Sequence, residues 1–109
     1  MNGTNLVFDT CAVVKLLDQK YDLSSLGIDI DEVQLLTSVI VRMELLSKRN
    51  MSNNEENGLL EFLNALTVIP LDEAIEQKAI EIRRATSIKL PDCIVAATSI
   101  ILNAILLNR

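Results

Sequence analysis

The sequence predicts an α/β fold, a three-layer sandwich with helices on both faces of a central parallel sheet. Three observations predict it. Short apolar runs alternate with helical patterns of 10–15 residues, the signature of βαβ units. Those runs are continuous rather than alternating in polarity, as strands covered on both faces require. The chain of 109 residues is 50% apolar but has only one Tyr and two Phe, so a single domain over 1–109 must close on an aliphatic core.

The elements follow in order. Asn5–Asp9 is a short apolar run ending in an acid and predicts a buried strand. Thr10–Leu17 carries Val13, Val14, Leu16 and Leu17 at helical spacing. Residues 18–31 are polar, with Ser24, Ser25 and Gly27, and predict loop or a weak helical turn. Val33–Ser38 predicts the second strand, and Ser38 is placed to cap a helix over Val39–Lys48. Residues 49–57 form a break in which Ser52 and Glu55 have capping-box spacing; the helix this box starts carries Leu59, Leu60, Phe62, Leu63 and Leu66. Thr67–Ile69 is a third strand, stopped by Pro70. Asp72 caps a helix with a stripe of Ile75, Ala79, Ile82 and Ala85 or Thr86. Pro91 suits a first helical position, the helix running on through Asp92 to Asn103, and Ala104–Leu107 is the last strand.

Composition excludes several chemistries. There is no histidine, hence no imidazole base and no His-ligated zinc. Two cysteines, Cys11 and Cys93, are too few for a zinc ribbon or a disulfide framework, and each is expected as a small core residue. The run from Cys93 to Leu107 is too short and too interrupted to span a membrane, and the N-terminus lacks the basic region of a signal peptide, so a cytoplasmic location is expected. Ten basic against fifteen acidic residues give a net charge of −5, which argues against non-specific nucleic-acid binding and for a site built from carboxylates.

Most acids fall among polar neighbours, as Glu55, Glu56, Glu61, Glu73, Glu76 and Glu81 do, and read as solvated helix faces. Asp9, Glu44 and Asp92 sit in apolar context, where an unpaired buried carboxylate costs several kcal/mol. In a parallel sheet a helix following a strand starts at the carboxyl edge. Asp9 ends the first strand at that edge. Glu44 lies in the second turn of the next helix but one, with its side chain leaning back toward the helix start. Asp92 lies in the first turn of the helix before the last strand. All three are expected on one rim, the edge where open α/β sheets place their ligands. Converging carboxylates need a compensating cation, and an all-oxygen donor set suits Mg²⁺ or Mn²⁺. Each acid also has an ordinary explanation: Asp9 as a helix cap, Asp92 as a charge favoured at a helix N-terminus, and Glu44 as a solvent-facing residue.

At these same residues the sequence resembles the PIN-domain family, and most of all its VapC-type toxins from bacterial toxin–antitoxin pairs. Leu6-Val7-Phe8-Asp9-Thr10 is similar to the family's first strand with its metal-binding Asp. Ser38 followed six residues on by Glu44-Leu45 is similar to its second motif, and Leu90-Pro91-Asp92 followed by Ile94-Val95-Ala96-Ala97-Thr98 to its third. The resemblance covers essentially the whole chain. It implies a metal-dependent endoribonuclease with Asp9, Glu44 and Asp92 as metal-binding and catalytic acids, Thr10 and Thr98 as supporting donors, and RNA contacts from basic residues such as Arg42, Lys48, Arg49, Arg84 and Lys89. It further implies an RNA substrate, a cognate antitoxin and a homodimer. Many relatives carry another acid a few positions past the last strand, in a stretch beginning much like Leu106-Leu107-Asn108-Arg109; against them this sequence is C-terminally short. That departure keeps open a catalytically silent PIN-like module that works through protein binding. A phosphoacceptor domain using Asp9 fits less well, because the second acid cluster and later lysine it needs are not evident.

Overall fold

The computed structural model describes residues 4–18, 27 and 29–108, with the backbone alone at Ile30. The first apolar run forms β1 (Thr4–Phe8), in which Leu6, Val7 and Phe8 are buried in succession. Consecutive burial means that both faces of the strand are covered, as a run without alternation requires. Asp9 ends the strand and caps α1 (Thr10–Leu17), whose Ala12 and Val13 turn onto the core. The expected loop over 18–31 lies mostly outside the described residues; within them, Ile30–Glu32 makes one 3-10 turn capped by Asp29. β2 (Val33–Ser38) pairs with β1 in parallel and leads into α2 (Val39–Leu46), with the Ser38 hydroxyl accepting from the Ile40 N–H at 3.2 Å.

The predicted capping box is present in full: the Ser52 hydroxyl accepts from the Glu55 N–H, and the Glu55 carboxylate accepts from the Ser52 N–H. It starts α3 (Asn53–Asn64) earlier than the polar stretch through Asn57 suggests, because a satisfied cap outweighs the poor helix propensity of Asn and Gly. β3 (Thr67–Ile69) is followed by α4 (Glu73–Ala85), capped by Asp72. Ile75 and Ala79 of its stripe are buried and Ile82 is half-buried, while Ala85 and Thr86 are exposed at the helix end. α5 (Leu90–Ile101) carries Pro91 in its first turn, and β4 (Ile105–Leu107) ends the sheet. Between them Asn103 takes a left-handed conformation with φ 52°, while the Ala104 N–H reaches the Ser99 carbonyl and the Asn103 N–H the Ile100 carbonyl. This double bond pattern closes a helix C-terminus and reverses the chain into β4.

Among the described residues the four strands are all parallel in the order β3-β2-β1-β4, flanked by five α-helices. This is the predicted three-layer sandwich. The main core joins Leu6, Val7, Phe8, Ala12, Val13, Leu36, Val41, Leu59, Leu63, Leu66 and Val95. A second cluster, Ile75, Ala79, Cys93, Ile94 and Ala97, lies between α4 and α5. Cys93 is a small core residue as expected, but Cys11 is exposed on α1. Among the described residues no helix is long and apolar enough to cross a membrane.

Candidate active site at the carboxyl edge of the sheet

The strand order fixes where a ligand would enter. The chain builds outward from β1 through β2 to β3, then crosses back by α4 and α5 to place β4 on the other side of β1. The crevice at the carboxyl ends of β1 and β4 is therefore the topological switch point. Asp9 sits there, its N–H donating to the Leu107 carbonyl at the end of β4 (3.0 Å).

The Asp9 carboxylate has two roles at once. One oxygen accepts from the Ala12 N–H at 2.8 Å and so caps α1. The group is also half-buried, and this burial pushes its pKa above the ordinary value of 3.8; the negative charge of Asp92 pushes in the same direction. The N–H groups of Ala12 and Cys11 and the charge of Lys15 pull it down, without cancelling the rise. Asp92, in the first turn of α5, is thus an electrostatic neighbour of Asp9 although 83 positions separate them in sequence. Glu44 is joined to the rim differently: the Thr10 hydroxyl donates to Glu44 Oε1 at 2.9 Å, tying α2 to the residue after Asp9.

Apolar sequence context overstates the burial of two of these acids. Glu44 and Asp92 are exposed, and only Asp9 of the three is half-buried. Successive helical residues point about 100° apart, so an acid flanked by apolar neighbours can still face water. Their carboxylates also do not close to a common ligating distance, since among the described residues no three Asp, Glu or Cys side chains form a group able to hold a metal ion. The donor chemistry nonetheless suits a hard dication, with carboxylate oxygens throughout. An exposed side chain such as that of Asp92 changes rotamer freely, whereas Glu44 is held by the hydrogen bond from Thr10.

The other expected residues are distributed as follows. Thr10 is half-buried and engaged with Glu44. Thr98 is buried, and its hydroxyl donates to the Ile94 carbonyl one turn back in α5 (2.8 Å) rather than to an acid. Arg42 is half-buried on α2. Lys48 is exposed and lies 3.9 Å from Glu55 in a surface pair worth little. Lys89 is exposed at the start of α5, while Arg49 and Arg84 are exposed elsewhere. Two contributors escaped sequence reasoning. Lys15 acts on Asp9 through its field, and Thr37 is a buried hydroxyl whose one visible signal is a polar residue inside an apolar strand.

The sequence matches the model of the PIN domain over residues 6–109. No curated protein matches it. Among solved structures, it is similar to the VapBC2 complex from Rickettsia felis bound to a DNA fragment from their promoter, with a TM-score of 0.79, 20% identity, and coverage of 97% of this chain and 99% of that one. It is also similar to a toxin–antitoxin complex from Klebsiella pneumoniae (TM-score 0.75, 20% identity, 93% and 82% covered). VapBC-1 from nontypeable Haemophilus influenzae gives a TM-score of 0.74 at 18% identity, with 94% and 84% covered. At these identities the likeness establishes the shared fold.

Proposed function

The chain belongs to the PIN domain family, and from that premise we propose that it is a metal-dependent endoribonuclease, the toxin of a toxin–antitoxin pair acting in the cytoplasm. The observation that carries the proposal is Asp9: a half-buried carboxylate at the switch point, within the field of Asp92 and next to the residue that ties down Glu44. Two like charges sharing a partly dry rim are unfavourable without a compensating cation, and such arrangements concentrate at functional sites.

Asp9, Glu44 and Asp92 would hold the metal, Mg²⁺ or Mn²⁺. Such an ion supplies an activated water and neutralises charge on a phosphodiester in the transition state. The chain's own residues do the rest. Asp9 is held in direction by its bond to the Ala12 N–H at the carboxyl end of β1. Thr10 holds Glu44 toward the same edge. Arg42, Lys48 and Lys89 are the cations proposed to meet RNA phosphates, which a net charge of −5 makes necessary for a polyanionic substrate. VapBC complexes among the structural neighbours support an antitoxin as the protein partner, and a homodimer is expected with it.

One observation favours a second reading, a silent PIN-like module that works by protein binding: the described acids do not form a ready-made metal group. An RNA cleavage assay with added Mn²⁺ or with EDTA separates the two. The nuclease reading predicts cleavage with Mn²⁺ that EDTA and Asp9→Asn both abolish. No metal-dependent cleavage of single-stranded or structured RNA would leave the silent module.

A further inference from the structure

A threonine in a parallel strand covered on both faces needs a reason, because valine packs equally well there and a buried hydroxyl costs free energy unless it is bonded. Thr37 is fully buried in β2 and stands in register with Phe8 of β1. Its hydroxyl donates to the Phe8 carbonyl at 2.7 Å. On the other side of the same peptide unit, the Asp9 N–H donates to the Leu107 carbonyl at 3.0 Å. The planar Phe8–Asp9 peptide is therefore gripped at both ends, its carbonyl by β2 and its N–H by β4. Asp9 leaves β1 directly from that gripped plane. The next residue after Thr37, Ser38, caps α2, the helix that carries Glu44.

We propose that Thr37 is a positioning residue for the acidic rim, its hydroxyl fixing the direction in which Asp9 leaves β1. The proposal rests on the reading of Asp9 as a member of a metal-dependent site, and deepens it by naming a residue outside the three motifs. Thr37 touches neither metal nor substrate; it acts through the Phe8–Asp9 peptide.

The test compares Thr37→Val, which keeps shape and loses the donor, with Thr37→Ser, which keeps the donor. Amide hydrogen exchange is read at Ala12, bonded to Asp9, and at Ile75, bonded to Asp72 in the same way on a remote helix. Mn²⁺ affinity is measured alongside. In Thr37→Val the Ala12 amide is expected to exchange about tenfold faster while Ile75 is unchanged, and Mn²⁺ affinity to fall about tenfold; Thr37→Ser stays within about twofold of wild type. Should Thr37→Val not fold, Thr37→Cys, of similar bulk and a weak donor, is read in its place. Equal acceleration at Ala12 and Ile75, no change at Ala12, the same acceleration in Thr37→Ser, or unchanged Mn²⁺ affinity in a variant with a loosened Ala12 would each overturn the proposal. A wild-type protein that binds no Mn²⁺ but shows the selective effect at Ala12 would support the clamp and refute the nuclease reading.

Discussion

Asp9 and Asp72 start two helices with the same bond, Oδ1 accepting a backbone N–H three residues on at 2.8 Å in both. Their surroundings differ. Asp72 is exposed, whereas Asp9 is half-buried beside the charge of Asp92. A cap needs a side-chain oxygen, and asparagine supplies one as well as aspartate does. At α4 the carboxylate is therefore explained by the helix. At α1 its ionisation is an excess that the fold must carry, and a residue that costs stability where a neutral one would serve is a mark of a working site.

The largest expected effect breaks this comparison at Asp9. Asp9→Asn keeps the cap and removes the charge, so it is expected to lower cleavage by about 100-fold or more while raising the melting temperature. Asp72→Asn is expected to change neither. Next, Thr10→Val releases Glu44 from its hydrogen bond and is expected to reduce cleavage by about tenfold with little change in melting temperature. A smaller effect comes from Asp72→Ala, which loses the cap of α4 and about 1 kcal/mol of stability by denaturant titration, with cleavage per folded molecule intact.

The pH dependence sharpens the contrast further, and its sign differs between two helix starts. The pKa of Asp9 is raised above 3.8 in the folded state, so the folded protein binds more protons there than the unfolded chain. Stability is then lost at this residue as pH rises from below 3.8 through the raised value. In Asp9→Asn that loss should disappear. Glu55 is the opposite: the Ser52 N–H and hydroxyl, with Lys48, hold it below 4.5. Its contribution is present above 4.5 and is lost as pH falls through the lowered value. Glu55→Gln should flatten this acid-side loss slightly, as measured by thermal melts between acidic and neutral pH.

Much of this was legible before the structure. The bounds of β2, β3 and α1 follow from apolar runs and the caps beside them, and the parallel sheet from the absence of alternation. Asp9, Glu44 and Asp92 were legible as acids in apolar surroundings, and the topology predicts their common edge. Their exposure was not, because flanking residues in a helix point in other directions; Cys11 deceives for the same reason. Thr37 was hidden because its partner, Phe8, lies across the sheet, and a threonine in a strand otherwise signals only β propensity. Asn103 reads as an interruption in an apolar run, and only its left-handed backbone shows it to be the turn into β4.

Calorimetric titration of Mn²⁺ into the wild-type protein, Asp9→Asn and Asp92→Asn tests the central claim most directly. A shared acidic site predicts saturable binding in the wild type and its loss in both variants, each of which must remain folded by circular dichroism. Equally weak heats from all three proteins would contradict it.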